Sequence, residues 1–424
     1  MKIAIIGTGI AGNVAAYYLN KKHDIKVFEE NDYVGGHTHT HDIIMDDNEY
    51  AVDTGFIVFN YKTYPHFTKL LKELEVEVQP SDMSFSVKCE KTGLEYNGTT
   101  LNSLFAQRLN LFKPSFYKMI KDILRFNKES VEELEAGNAN VSMGKFLSDR
   151  HYGKKFIEQY LIPMGAAVWS ADPEQMMAFP AGFFIRFFHN HGMLSVNDRP
   201  QWYVIKGGSK EYVKKLTSSF ANKIHTESAV KSVKRSENGV LLTLENGESQ
   251  FFDDVFIATH SDQALSMLED VSEIEESVLC KIPYQENEAI LHTDKSILPN
   301  KKLAWAAWNY HILGNKQDKV ALTYSMNILQ SLDSKEEFCV TLNNEDAIDP
   351  NKIIKKIKYA HPIFTPDGID AQKRHSEVNG QQHTYFCGAY WRFGFHEDGV
   401  WSALQAVKHF EENCNAQLHI RRAS

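Results

Sequence analysis

Apolar residues open the chain almost without a break, and Lys2-Ile3-Ala4-Ile5-Ile6 reads as a short buried strand. Glycines follow at once, Gly7 to Gly12, then a helical stretch from Asn13 to Lys21 and a second apolar run, Ile25 to Phe28. Strand, glycine turn, helix and strand make a βαβ unit, which demands a parallel sheet with a right-handed crossover. From about Tyr64 to Trp202 the pattern predicts amphipathic helices. There Phe105, Leu109, Phe112, Phe116, Met119, Ile120, Ile123 and Leu124 recur near helical spacing. Strand patterning returns in Tyr203 to Val213, Ala229 to Val233, Val240 to Leu244 and Val255 to Ala258. A mixed segment covers Asp270 to Val378, and Tyr385 to Phe410 reads as a strand, a glycine turn and a closing helix.

Nucleotide-binding texture thus occurs at the start, in the middle and at the end. The expected fold is α/β: a Rossmann-type domain with a parallel sheet, discontinuous over residues 1–63, 203–269 and 379–424. An α+β substrate domain is inserted as residues 64–202 and 270–378. A length of 424 residues suits two such intertwined units. A net charge of −9 argues against a general nucleic-acid binder, which needs cations facing phosphates. Five dispersed cysteines without a CxxC pair read as reduced thiols of a cytoplasmic protein, not a disulfide framework. No secretory signal is visible, and no run approaches the roughly 20 apolar residues of a membrane span.

The sharpest chemical signal is Gly7-Thr8-Gly9-Ile10-Ala11-Gly12. Gly7 permits the tight turn, Gly9 lets backbone approach a pyrophosphate, and Gly12 lets the helix pack on the strand. The helix start at Ile10 and Ala11 then offers oriented N–H groups to the anion. Glu29 closes the second strand, where a carboxylate can receive ribose hydroxyls. His37, His39 and His41 alternate, but no carboxylate or cysteine at ligand spacing joins them, so no metal site is expected.

The segments that follow carry a family resemblance. Gly35-Gly36-His37, then Asp53-Thr54-Gly55-Phe56, resemble the flavin-containing amine oxidase superfamily, which includes monoamine oxidase, protoporphyrinogen oxidase and phytoene desaturase. In that family the Gly pair abuts the pyrophosphate and the Asp-x-Gly segment passes the flavin; His37 stands where an Arg is usual. Lys206-Gly207-Gly208-Ser209 with Ala229-Val230 is similar to the second cofactor segment, implying adenine contacts at Val230. Phe386-Cys387-Gly388-Ala389 and Gly394-Phe395-His396-Glu397-Asp398-Gly399-Val400 resemble the C-terminal flavin motif. The resemblance implies FAD held by Gly388, Glu397, Gly399 and Val400 as well as the N-terminal residues. The covalent-attachment cysteine motif is absent, so the FAD is expected to be non-covalent. A narrower likeness, in Pro163-Met164 to Trp169-Ser170, Asn190-His191-Gly192, Asp198 to Trp202 and Gly394 to Gly399, is to bacterial flavoproteins associated with cyclopropane-fatty-acid-synthase-type lipid methyltransferases.

Such an enzyme moves a hydride from a substrate C–H to flavin N5, and the protein chiefly positions the substrate. The sequence therefore demands no particular base. Tyr390, Phe395 and His396 are the catalytic candidates, while Asn190, His191, Asp198 and Arg199 fit either a substrate site or a buried polar turn. A lipid or fatty-acyl substrate is the leading expectation. An amine oxidase and a non-catalytic flavin-binding scaffold are the alternatives, and oligomeric state is left open. Residues 104–126 set Arg108, Lys113, Lys118, Lys121 and Arg125 among large apolar residues. The plainer reading is a packed helix with a solvated basic face; the other is peripheral contact with the inner face of a membrane.

Overall fold

The structure, a computed structural model, describes residues 1–171, 173–195, 199–314 and 319–423, with side chains as far as residue 416. The first strand, Lys2–Ile6, lies at the centre of a five-stranded parallel sheet. Asp24–Phe28 and then Ile224–His225 pair on one side of it, and Asp254–Ile257 and then Thr384–Phe386 on the other. The α/β expectation holds, and the sheet is assembled from segments scattered over almost the whole chain. Period-two alternation sets its two faces. Ile3 and Ile5 enter a core shared with the helix Ile10–Leu19 and the closing helix His396–Ala423. Ala4 and Ile6 enter a different core, roofed by the antiparallel strands Val230–Ser236, Gly239–Leu244 and Ser249–Phe252. The first helix is covered nearly all round, so its apolar residues need no polar face.

The tract from Tyr64 to Trp202 is not purely helical. Strands Val78–Ser81, Phe85–Cys89 and Leu94–Asn97 lie inside it. Phe85–Cys89 pairs in parallel with Trp308–Ile312 and so joins a seven-stranded mixed sheet running from Ile353–Pro362 to Leu94–Asn97. All three are four or five residues long; Phe85–Cys89 pairs with a strand more than 200 residues away and Val78–Ser81 with Trp202–Ile205, so local periodicity missed them. Tyr203 to Val213 also differs from expectation: the strand is Trp202–Ile205, and a helix, Lys210–Thr217, begins after Ser209. The largest core joins the mixed sheet to helices Pro114–Glu135, Ile162–Trp169 and Ala181–Asn190.

Beneath the antiparallel roof, Arg235 and Glu275 form a buried ion pair with both side chains at most 1% exposed. Arg235 also donates to Asp270 Oδ1 at 3.0 Å and to the Asp270 carbonyl at 2.7 Å. A charge stranded in such a place costs far more than the intact pair contributes. Arg235→Ala should therefore destabilise the fold by about 3–5 kcal/mol, measured as a lowered denaturant midpoint. The double substitution Arg235→Met/Glu275→Leu should recover most of that loss.

Candidate cofactor and substrate site

The glycine turn is built by backbone contacts that side chains would block. Gly7 has φ +95°, and a Cβ on Gly12 would fall 2.0 Å from the Gly7 carbonyl oxygen. Gly9 is the N-cap of the first helix and supplies no side-chain cap, so the amides of Ile10, Ala11 and Gly12 have no intrahelical acceptor. A Cβ built on Gly9 meets nothing within 4 Å. The result is a bare, positively polarised helix end with room in front of it, which fits a pyrophosphate.

Three distant segments converge on that end. Glu29 accepts from the Thr8 amide at 2.9 Å and from the Thr8 hydroxyl, and the Gly35 amide donates to the Thr8 hydroxyl at 3.2 Å. Gly36, at φ +58°, lies so close that its Cβ would sit 3.0 Å from Gly9 Cα. From the far end of the chain, Gly399 approaches Ile10, where an added Cβ would lie 2.5 Å from Ile10 Cγ2. Val400 is buried in the core that holds Ile10 and Ala11. Val230 begins a strand just beyond Ser228, whose amide donates to the Glu29 carbonyl at 2.8 Å. The other Glu29 oxygen accepts from the Asn31 amide and from its Nδ2, at 3.0 and 2.8 Å. With four acceptor positions in use, Glu29 could receive a ribose hydroxyl by releasing the exposed Asn31 side chain.

The Gly pair and the Asp-x-Gly segment are zipped together. Phe56 donates its amide to the His37 carbonyl at 2.7 Å, and Gly55 lies where a Cβ would be 2.1 Å from that same oxygen. Thr54 bonds the Tyr359 hydroxyl at 2.9 Å. The His37 ring sits 4.9 Å from Tyr359, 5.4 Å from His361 and 6.2 Å from His260. Its Nε2 is shut off from solvent without a hydrogen-bond partner. Burial, aided by His260, lowers His37 to about 4, and burial lowers His260 to about 4 and His361 to about 3. All three imidazoles are neutral at neutral pH, so His37 brings no fixed positive charge to the arginine position. Tyr359, His361 and His260 carried no sequence signal; the strand Ile353–Pro362 brings the first two in from the mixed sheet.

The three catalytic candidates part company. His396 stacks on Phe56 at 3.6 Å, and its Nε2 lies 3.0 Å from the Thr38 hydroxyl and 2.8 Å from the Tyr212 hydroxyl. Burial holds it well below the usual histidine range, so it is a neutral brace between elements. Phe395 stacks on Phe187 at 5.0 Å and packs against both large cores. Tyr390 is buried with Trp391 in the third core, its hydroxyl without a partner, and Gly388 lies against its ring. Glu397 turns elsewhere: it accepts from the amides of His66 and Phe67, capping the helix Pro65–Glu73, and from His66 Nδ1. Asp53 is likewise diverted, accepting from the Ser209 amide at 2.9 Å, the Ser209 hydroxyl at 2.7 Å and Gln330 Nε2 at 3.1 Å.

Next to Phe395 an aromatic layer descends from the helix Ala181–Asn190. Phe183 lies 4.7 Å from Phe393, and Trp169 lies 4.8 Å from both Phe179 and Phe187. A cavity of about 10 Å³, room for one water, separates this layer from His361. His191 stacks on Phe187 and bonds its carbonyl at 2.9 Å, Asn190 is exposed, and Arg199 bonds the Ser195 carbonyl. Asp198 lies outside the described residues. The His39 and His41 rings lie 4.1 Å apart at a tilt of 49°, and among the described residues no group of three side chains is placed to hold a metal ion.

The profile of the family described as flavin containing amine oxidoreductase matches residues 10–310. A curated relative, 1-hydroxycarotenoid 3,4-desaturase from Flavobacterium sp. (strain P99-3), is 38% identical over 96 residues. That stretch is 22% of this chain and 18% of the relative, so the chain matches under a fifth of that protein's length. Among solved structures, cyclohexylamine oxidase from Brevibacterium oxydans IH-35A superposes with a TM-score of 0.67 at 14% identity, covering 97% of this chain and 99% of its own. A CLA-producing fatty acid isomerase from P. acnes gives 0.68 at 15% identity, covering 96% and 98%. Identities this low establish the shared fold alone.

Two outcomes test the site. Gly9→Val adds a side chain that the fold can hold but that fills the space before the helix end. It should lower the stability of the apoprotein by no more than a poorer N-cap costs, about 1 kcal/mol, and weaken FAD binding roughly 100-fold, the equivalent of one or two charge-assisted hydrogen bonds, read by flavin fluorescence titration. Asp398, at the start of the closing helix, is pushed up to about 7 by burial, opposed by the Phe395 amide and Arg392. Its folded form thus holds the proton more tightly than the unfolded chain, whose aspartates titrate near pH 4. Its contribution to stability is full below about pH 4 and is lost as pH rises to 7, at up to about 1.4 kcal/mol per pH unit. Urea midpoints measured from pH 4 to 8 should show a shallower decline in Asp398→Asn.

Proposed function

The chain belongs to the flavin-containing amine oxidoreductases, and on that premise we propose that it is an FAD-dependent oxidoreductase acting on an apolar lipid or fatty-acyl substrate. The observation that carries the substrate class is the aromatic layer of Trp169, Phe179, Phe183, Phe187 and Phe393, which stacks onto Phe395 immediately before the helix that meets Ile10. Such a wall stabilises an alkyl chain by removing it from water, at roughly 25 cal/mol per Å² covered. Similarity to a carotenoid desaturase and to a fatty acid isomerase favours the same substrate class. The narrower resemblance to flavoproteins found with lipid methyltransferases agrees with it.

In this reading the amides of Ile10, Ala11 and Gly12 hold the pyrophosphate and Glu29 the adenosine ribose. Val230 lies on the adenine side, and Gly35, Gly36, Gly55 and the helix start at Gly399 and Val400 lie along the rest of the cofactor. Bound FAD supplies the acceptor for a hydride taken from a substrate C–H. The chain's own residues orient the alkyl chain against Phe395, exclude water with the aromatic layer, and keep neutral imidazoles at His37 and His361. Non-covalent attachment agrees with Cys387, whose buried thiol is pushed up to about 12 and is a poor nucleophile.

Two measurements test the proposal. Acid precipitation of the purified protein should leave intact FAD in the supernatant; flavin retained in the pellet would mean a covalent link. Anaerobic titration with phospholipids or free fatty acids should bleach the oxidised flavin band. Bleaching by amines instead would move the enzyme to the amine oxidases, and bleaching by neither class would favour a structural flavin.

A further inference from the structure

Six of the fourteen exposed large apolar side chains among the described residues fall between residues 101 and 124: Leu101, Leu109, Leu111, Phe112, Tyr117 and Leu124. Leu101, Leu109 and Phe112 are 78%, 74% and 82% exposed. Scattered surface leucines need no explanation, but a cluster does. This one is held outward by its own polar residues. In the 3₁₀ turn Arg108–Phe112 it is Asn110 that is fully buried, bonded to Gln107, which in turn bonds the Glu95 amide and the Gly93 carbonyl. Ser103 is buried too and donates to the Asn97 carbonyl at 3.1 Å. Tyr117 ties the next helix to the turn by donating to the Leu111 carbonyl at 3.1 Å. Polar side chains thus face in and apolar ones out, the reverse of a turn folded for water alone.

Charge identifies the occupant. Residues 101–128 carry six cations (Arg108, Lys113, Lys118, Lys121, Arg125, Lys128) and one acid, Asp122, in a chain of net charge −9. Asp122 is itself buried, and it accepts from the Gly153 amide and pairs with Arg125. Lys113, Lys118 and Lys121 are exposed and make no ion pair among the described residues. Protein interfaces are poor in lysine, whereas an anionic bilayer offers negative headgroups above an apolar layer, the order in which this surface presents its cations and its Leu109, Leu111 and Phe112.

We propose that the turn Arg108–Phe112 and the basic first half of the helix Pro114–Glu135 dock this protein on an anionic phospholipid bilayer. Leu109, Leu111 and Phe112 enter the acyl boundary, and Lys113, Lys118 and Lys121 lie among the headgroups. The docking goes beyond the oxidoreductase reading and does not rest on its substrate. The helix is well placed for the task, since it packs on Ala181–Asn190, the bearer of the aromatic layer.

The test is cosedimentation of the flavin-loaded, full-length protein with phosphatidylcholine vesicles, with and without a third of phosphatidylglycerol. Binding should require the anionic lipid and weaken with added salt. Lys113→Gln/Lys118→Gln/Lys121→Gln should lower partitioning at least about tenfold, and Leu109→Ser/Phe112→Ser by a similar factor, both with unchanged flavin absorbance. The salt dependence needs no variant and stands if one misfolds. Equal binding to both vesicles, binding to neither, or a dimer in sedimentation velocity that Phe112→Ser dissociates would each overturn the proposal. Flavin bleaching by detergent-dispersed lipid does not need docking, so the two readings fail separately.

Discussion

The molecule depends on one bare helix end. Three amides at Ile10, Ala11 and Gly12 lack acceptors because Gly9 brings no capping oxygen, and the surrounding chain preserves that state instead of relieving it. Side chains are withheld from the place where neighbouring segments cross, so Gly36 comes within contact of Gly9 Cα and Gly399 within contact of Ile10. A serine or aspartate at position 9 would cap the helix and stabilise it by roughly a few tenths of a kcal/mol over glycine. The chain forgoes that local gain, and a surrendered cap at the centre of the fold is intelligible where an outside anion completes the helix.

Holding that crossing together falls to buried polar pins. Glu29 links the first helix turn to the second strand, and Asp53 links the Thr40 region to Ser209 and Gln330. Glu397 ties the closing helix to the helix Pro65–Glu73. Each is a carboxylate whose burial is compensated by several donors, a condition under which a buried acid is tolerated. Asp53 shows the limit of the compensation. Burial pushes it up to about 6 even with donors from Thr40 and Ser209 around it.

This division explains which parts were legible from sequence. Lys2 to Phe28 could be read because its signals are local: an apolar run, a glycine turn, a second run. Strands within 78–97 could not, because what makes Phe85–Cys89 a strand is pairing with Trp308–Ile312. At the site, glycines were legible since their reason is steric and sits in the motif itself. Glu397 was not, because its partners His66 and Phe67 lie 331 and 330 residues away. His396 suited proton transfer by residue type alone, and only the folded chain shows it clamped between Phe56, Thr38 and Tyr212. The inverted turn at Asn110 also escaped periodicity, which counts apolar positions without saying which side of them is solvent.

Electrostatics joins the two halves of the site. His37, His260 and His361 lie half-buried side by side, and each is driven toward its neutral form by loss of water. In such a medium a fixed dipole acts at greater strength than in water, because nothing mobile screens it. The bare start of the first helix and the approach of the closing helix at Gly399 are fixed dipoles of that kind. The aromatic layer beside Phe395 keeps the medium apolar, and an alkyl chain seated there would complete the exclusion of water. A proposed reaction that moves a hydride instead of an isolated proton suits this arrangement. It needs neutral walls and a receptive helix end more than it needs a charged base.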